Sequence, residues 1–287
     1  MSESDPGELA ESEETMNSII KQGIIWTLAL GLAGCASFNT FSTDSRLPDQ
    51  LITIDGKADD WAGNLFVVPN ERMELGFLND RDFLYLCLLT TDNYDRAGIM
   101  TQGLIVWFDP QGGDKKTFGI KFPLGLPPGE RKIPVQANPR DPEFDNLPDV
   151  PRSEMEVIRS ETEPPQKLKL ADVKDVEIKV APSAGLLVYE LKIPLVRSGE
   201  RLVAVGTEPG KTIGIGFETA KLELSPQRRK GTGTIPGGAG RPPVSGSSGM
   251  GGYDRSPQLP EGMKVWAIVK LAEARNGQRA VVFSFSY

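Results

Sequence analysis

The sequence predicts an all-β protein, a two-sheet antiparallel β-sandwich of the immunoglobulin or jelly-roll kind with long irregular loops. Three observations support this class. Short apolar segments recur about every ten residues after residue 50, separated by Gly, Pro, Asn or Asp. Extended segments with a 3.6-residue apolar repeat are few. Roughly 240 residues is also a usual length for one sandwich domain.

The strands follow in chain order, beginning with "LITID" at 51–55. The stretch "MELGFLNDRDFLYLCLLTTD" predicts a hairpin, because two apolar runs flank the turn-prone residues 79–82. A second hairpin is predicted in "GLIVWFDPQGGDKKTFGIKFP", where Pro110 and two glycines supply the loop. "PRSEMEVIRSE" is compatible with a strand or a short helix. The remaining strands are predicted at "DVEIKVAP", "GLLVYELKIPL", "KTIGIGFETAKLEL", "KVWAIVKLA" and "RAVVFSFSY".

Two segments interrupt this pattern. Residues 124–152 are dense in proline and acid and predict a long irregular excursion. Residues 226–262 are rich in Gly, Pro and Ser, a composition that buries too little apolar surface to offset the entropy of ordering. We predict a disordered loop there, between two strands of a single domain that spans 50–287.

The N-terminal apolar run "IIWTLALGLAGCASF" lies at 24–38. Its apolar part is shorter than the roughly 20 residues that a membrane-spanning helix needs. It matches the apolar centre of a secretory signal, with Lys21 before it and small residues at its end. The acidic residues 1–15 do not fit a signal, so we expect translation to start at Met16. The alternative is an N-terminal hydrophobic helix that stays attached.

The end of this run, "LAGC" at 32–35, resembles the lipobox of bacterial lipoproteins. In that family the cysteine receives lipid on its sulfur and becomes the mature N-terminus. The resemblance implies an N-terminal extension and signal peptide at 1–34, lipidation at Cys35 and a polar tether at 35–49. Ala36, which is not an aspartate, implies the outer membrane in enteric-type sorting.

Composition excludes several classes of function. The chain carries a formal charge of −7, but residues 1–34 hold six acids and one base, which leaves −2 for the rest. A near-neutral chain without basic blocks is not expected to bind nucleic acid. The sequence contains no histidine, which excludes Ser-His-Asp and Cys-His catalysis and His-ligated haem. Cys87, in an apolar run, is expected to be a buried small hydrophobe.

The strands carry a second resemblance. "ITIDGKADDWAG" is similar to the opening of carbohydrate-binding module family 9-like domains, within the DOMON-type sandwiches, through Asp55, Gly56, Asp60 and Trp61. "NDRDFLYLCLLTTD", "GLIVWFDPQGG", "YELKIPL" and "IGIGFE" resemble later strands of that family, in the same order. The resemblance implies two packed sheets, with ligand contacts on loops or on an exposed face. The haem-binding branch of that family uses a histidine ligand, and this sequence has no histidine. Sugar binding therefore remains an expected function, and haem binding does not.

Sugar rings present apolar C–H faces, so a sugar site needs an aromatic plane flanked by polar groups. Trp61, after the Asp-Gly turn, and Trp107, in a strand apolar on both sides, are candidates for which core packing is the favoured alternative. Tyr94 is the stronger candidate, because we expect it in a loop beside Asp92 and Arg96.

Two further carboxylate groups are candidates for a site. Asp109 ends a strand beside a glycine loop, where it binds sugar hydroxyls or, as we favour, caps the turn. Asp55, Asp59 and Asp60 are weak candidates for Ca²⁺, because the spacing of an EF-hand loop is missing. No other cofactor is expected.

The sequence thus predicts a lipid-anchored envelope protein with a non-catalytic, carbohydrate-binding β-sandwich. Nothing marks a catalytic pair among its carboxylates, and we expect no enzyme activity. The alternative is a structural lipoprotein or one that binds an envelope protein, on the same fold and without a sugar ligand. An exposed aromatic cluster favours the first reading, and burial of every tryptophan favours the second.

Overall fold

The computed structural model describes residues 39–127, 130, 132–133, 149–160, 163–183, 185–199, 201–220, 223–224 and 262–273. Every described residue belongs to the unit Asn39–Tyr287. Cys35, the signal segment 1–34, most of the 226–262 loop, and the predicted strand at 279–287 lie outside the described residues. The described residues contain no helix long and apolar enough to cross a membrane.

The described residues form fourteen strands, one α-helix and two 3₁₀ turns. The helix, α1, spans Asn93–Gln102, and the 3₁₀ turns span Asp59–Trp61 and Leu170–Asp172. The strands are β1 (Asn39–Asp44), β2 (Phe66–Val67), β3 (Met73–Asn79), β4 (Phe83–Thr90), β5 (Ile105–Asp109), β6 (Phe118–Lys121), β7 (Lys132–Ile133), β8 (Glu154–Ile158), β9 (Gln166–Lys169), β10 (Glu177–Ser183), β11 (Leu186–Pro194), β12 (Thr212–Glu218), β13 (Glu223–Leu224) and β14 (Lys264–Lys270).

Two sheets face each other and confirm the predicted β-sandwich. The seven-stranded sheet has the order β1-β14-β12-β5-β6-β8-β9, and the five-stranded sheet has the order β10-β11-β4-β3-β2. Their pairings are antiparallel except that of β1 with β14. A two-residue ribbon pairs β7 with β13. Apolar residues from alternate positions of both sheets fill the space between them.

Both predicted hairpins are confirmed. Strands β3 and β4 pair around the predicted turn, where the Asp80 carboxylate accepts from the N–H groups of Asp82 and Phe83 at 2.8 and 2.7 Å. Strands β5 and β6 pair around the predicted Pro/Gly loop. The segment "EMEVIRS" contains strand β8 and not a helix.

The prediction for residues 35–55 was wrong in two respects. "LITID" is not a strand, while Asn39–Asp44 of the assigned tether is strand β1. Residues 51–65 instead cross the outer face of the five-stranded sheet. Side chains there accept hydrogen bonds from backbone N–H groups that a neighbouring strand would otherwise pair. For example, the N–H of Thr53 donates to the Asp60 carboxylate at 2.9 Å. Local apolar alternation does not reveal such capping.

Helix α1 was not predicted. Asp92 caps it, accepting from the N–H groups of Tyr94 and Asp95 at 2.9 and 3.2 Å. Seven of its ten residues are buried, from Arg96 to Gln102, and three of these are polar, so burial does not follow the apolar pattern by which an amphipathic helix is recognised. Its polar composition and its glycine also disfavour a helix in sequence terms.

A second, smaller apolar cluster lies on the outer face of the five-stranded sheet. It gathers Ile52, Trp61, Leu78, Tyr85, Cys87, Leu89 and Val188. Cys87 is fully buried here, as predicted, and burial raises the pKa of its thiol well above the ordinary value. The segment 51–65 therefore works as a third layer over this sheet.

Candidate functional site

The residues that carry the family resemblance meet at one buried carboxylate, Glu190 of β11. Its Oε1 accepts from the indole Nε1–H of Trp61 at 2.8 Å, and its Oε2 accepts from the backbone N–H of Gly56 at 2.6 Å. Gly56 has φ +84°, and a Cβ there would lie 2.6 Å from the Cβ of Ala181. Burial raises the pKa of Glu190, against the lowering effect of these hydrogen bonds. The network fixes the segment 51–65 to the sheet.

Trp61 is therefore not available to a ligand. Its side chain is fully buried, and its six-membered ring lies against Gly76, where a Cβ would come within 2.8 Å of the ring. The structural role favoured from the sequence fits this position, although Trp61 lies on the outer face of a sheet and not at the end of the sandwich.

The calcium candidates do not gather. Asp55 pairs with Lys57 at 2.8 Å, Asp60 accepts from the Thr53 N–H, and Asp59 opens the 3₁₀ turn. In the part of the chain that the structure describes, no three His, Cys, Asp or Glu side chains are placed to hold a metal ion.

Tyr94, Asp92 and Arg96 lie together in the first turn of α1 and not in a loop. Asp92 is the helix cap, and its second oxygen lies 3.5 Å from the guanidinium of Arg72. Arg96 is buried, and its guanidinium donates to the side-chain oxygen of Asn93 at 2.9 Å. Tyr94 is half-buried. Of the three predicted residues, Arg96 is buried, whereas Asp92 and Tyr94 are partly exposed.

An open cleft of about 220 Å³ lies beside this helix end, and we call it the corner cleft. Its lining is a mixture of apolar and polar groups: Val67, Glu71, Arg72, Met73, Glu74, Leu89, Thr90, Thr91 and Leu186. Val67 is 68% exposed and contributes open apolar surface to the cleft. Arg72 links the cleft to the cap of α1 through its ion pair with Asp92.

Asp95 lies behind the corner cleft. Its carboxylate accepts from the Thr90 hydroxyl at 3.4 Å, and Thr90 lines the cleft. Burial, reinforced by the nearby negative charges of Asp92 and Glu71, raises the pKa of Asp95 to about 7. Its ionisation therefore falls in the neutral pH range.

We expect Asp95→Asn to change how stability depends on pH. Between about pH 4 and pH 7 the folded state keeps a proton on Asp95 that the unfolded state releases, so this group lowers stability as pH rises through that window. The variant cannot ionise. The free energy of unfolding of Asp95→Asn should therefore be about 2 kcal/mol larger than that of the wild type at pH 8, after discounting for partial exposure. The two should be equal near pH 3.5.

Thermal unfolding of both proteins across pH 3.5–8 measures this difference. Asp49→Asn, at an exposed position, is the control for the loss of one carboxyl group. Parallel profiles for Asp95→Asn and wild type would contradict the assignment.

Trp107 points away from the sandwich core, on the outer face of the seven-stranded sheet. Its neighbours Val106 and Phe108 belong to the core cluster, whereas Trp107 is buried on the opposite face and is 5% exposed. Its Nε1–H donates to Glu218 at 2.8 Å, and Lys116 pairs with the same carboxylate oxygen at 2.6 Å. The Lys116 ammonium lies over the indole, 5.4 Å from the ring centroid.

Asp109 caps the β5–β6 loop, the alternative that the sequence favoured. Its side-chain oxygens accept from the N–H groups of Gln111 and Lys115 at 3.0 and 3.1 Å. The carboxylate is 1% exposed, so it is not placed to bind hydroxyls of a ligand. The same loop reaches Trp266, whose Nε1–H donates to the Gly113 carbonyl at 2.7 Å.

Sequence reasoning missed Glu190, Glu218 and the pair Glu71 and Arg72. A signal existed for Glu190, because it is the one charged residue in "GLLVYEL", and a charge in a buried strand must be paired. No local signal marks Glu71 or Arg72, because only the folding of β3 beside β4 brings them to the end of α1.

No protein-family model matches the chain, and no curated protein sequence matches it significantly. Among solved structures, the chain is similar to a family 9 carbohydrate-binding module from Caldicellulosiruptor kristjanssonii in complex with glucose. That similarity has a TM-score of 0.35 and 10% identity, over 84% of this chain and 98% of the module. For the same module in complex with cellotriose, the TM-score is 0.36 and the identity 11%, over 83% of this chain and 98% of the module. Identity this low transfers no ligand to the present chain.

Proposed function

We propose that this chain is a non-catalytic carbohydrate-binding protein of the cell envelope, and that a sugar ring occupies the corner cleft. The observation that carries the proposal is the chemistry of the cleft. Leu89, Leu186 and Val67 supply apolar surface for the C–H face of a ring. Glu71, Arg72 and Glu74 supply charged hydrogen-bonding groups for hydroxyls.

The size of the cleft fits one ring and not a long oligosaccharide. Its volume of about 220 Å³ is below the roughly 300–1,000 Å³ of drug-sized sites. Tyr94, half-buried in the first turn of α1, follows Thr91 of the cleft wall closely in the chain. The sequence resemblance to carbohydrate-binding module family 9-like domains supports the same class of ligand.

Screening the purified chain on a glycan array, followed by calorimetry with the strongest glycan, tests the proposal. Arg72→Ala should weaken that binding at least tenfold, because a guanidinium that donates to hydroxyls is lost. Arg81→Ala, in the exposed β3–β4 turn, is the matched control and should bind as the wild type does. Absence of binding to any glycan, or unchanged binding by Arg72→Ala, would contradict the proposal.

The envelope location is proposed from the sequence alone. Lipid on Cys35 would hold the sandwich at the membrane, with the outer membrane as the expected compartment. Cys35→Ser should abolish labelling by radioactive palmitate, and label retained by this variant would refute the anchor.

A second candidate function is favoured by one observation. The three tryptophans in the described residues, Trp61, Trp107 and Trp266, are all buried, and each donates its indole N–H within the protein. The described part of the chain therefore presents no exposed tryptophan platform. A structural or protein-interaction role in the envelope, without a sugar ligand, agrees with this, and failure of the glycan screen would favour it.

A further inference from the structure

We infer that Trp107 and Glu218 form a second binding site, which the ammonium group of Lys116 closes. A protonated amino sugar would compete with Lys116 for this site. The inference rests on the proposed function only for the class of ligand, a saccharide. The site lies on the outer face of the seven-stranded sheet, whereas the corner cleft is built on the five-stranded sheet.

The indole of Trp107 packs against strand β6. Its register partners on the two neighbouring strands are Gly119 of β6 and Gly216 of β12. A Cβ on Gly119 would come within 2.7 Å of the Trp107 ring, so only a glycine lets the ring rest there. The six-membered ring of the indole is thus packed closely against the backbone of β6.

A face of the Trp107 indole is occupied by an ammonium group. Lys116 Nζ lies over the ring and is paired with Glu218, so it has an aromatic face below it and a carboxylate beside it. The side chains of Lys116 and Glu218 are only 24% and 21% exposed. Glu218 also accepts the indole N–H, which orients its carboxylate. These are the groups that recognise a ligand ammonium: an aromatic face and an oriented anion.

Lys116 therefore acts as an internal ligand. It belongs to the β5–β6 loop, a short segment fastened to β5 by the Asp109 carboxylate and to β14 by the Trp266–Gly113 hydrogen bond. A protonated amino sugar offers the same ammonium together with a C–H face for the indole. A neutral sugar offers only the face, so the site should discriminate between the two.

Removing the internal ligand tests the inference. Calorimetry at pH 6.5 with glucosamine should show at least tenfold tighter binding to Lys116→Ala than to the wild type. Glucose, the neutral isostere, should show no comparable gain. Lys115→Ala removes the neighbouring exposed lysine and should behave as the wild type. Glu218→Gln added to Lys116→Ala should abolish the gain. Circular dichroism confirms that each variant is folded, and Lys116→Gln serves if the alanine variant is not.

The outcomes separate this site from the corner cleft. If Lys116→Ala still binds glucosamine more tightly when Arg72→Ala is added, the result supports the closed site, even if the corner cleft binds no sugar. An equal gain for glucose and glucosamine, or no gain in either folded Lys116 variant, overturns the inference and leaves the proposal for the corner cleft standing on its own test.

Discussion

Glu190→Ala is expected to destabilise the protein by about 3 kcal/mol or more. The substitution leaves two buried donors without an acceptor, the N–H of Gly56 and the indole N–H of Trp61. Each unpaired buried donor costs roughly 1–3 kcal/mol, and the truncated side chain leaves a cavity in addition. Chemical denaturation at constant pH measures the change in the free energy of unfolding.

Two variants make this result specific to the network. Glu190→Gln keeps the volume but presents an amide donor to one of the two N–H groups, so we expect about half of the loss. Glu177→Ala, on the neighbouring strand β10, removes a half-exposed glutamate paired with Lys192 and should cost less than about 1 kcal/mol. A loss for Glu190→Ala no larger than that for Glu177→Ala would show that the network does not hold the segment 51–65.

Gly216→Ala is expected to cost about 3 kcal/mol, at the upper end of the usual range for overpacking. A Cβ at this position would lie 2.1 Å from Cζ3 of the Trp266 ring and 2.2 Å from its Cε3. The ring has little room to move away, because it is 1% exposed and its Nε1–H is held by the Gly113 carbonyl. The thermal midpoint and the free energy of unfolding should both fall.

The control and the rescue use other positions of the same chain. Gly199→Ala adds a methyl group where no atom lies within 4 Å, and it should leave stability unchanged within about 0.5 kcal/mol. Trp266→Leu removes the ring that clashes, so Gly216→Ala should cost much less in that background. Additive losses in the double variant would mean that the clash with Trp266 is not the cause.

The sequence was informative where structure is local. Both hairpins were predicted correctly, because Asn79, Asp80 and the Pro110 loop carry turn chemistry that acts within a few residues. Helix α1 was missed, because its burial on most sides removes the periodic pattern by which helices are recognised. The segment 51–56 was misassigned for a related reason: its backbone N–H groups at Thr53 and Gly56 donate to the side chains of Asp60 and Glu190, and Glu190 is distant in the sequence.

In the candidate site, too, the residues marked by local signals were predicted and those brought together by folding were missed. Asp92 and Tyr94 were named from a cluster of polar residues after a strand, and Asp92 pairs with Arg72, which lines the corner cleft. Arg72 and Glu71 come from the segment just before β3, the other strand of the hairpin, which no local signal connects to α1. Trp107 was correctly placed in a strand, but the sequence could not decide which sheet face it occupies, because apolar residues follow on both sides.

The sequence by itself determined the all-β class, the hairpins, and the exclusion of histidine chemistry, since these depend on composition and on neighbouring residues. Only the tertiary structure decided that Glu190 joins Gly56 to Trp61, that Lys116 lies over Trp107, and that α1 begins beside a cleft. Each of these contacts joins different strands or loops, and two of them span more than 100 residues. Contacts at such separations are set by how the sheets pair and pack, which a local pattern does not encode.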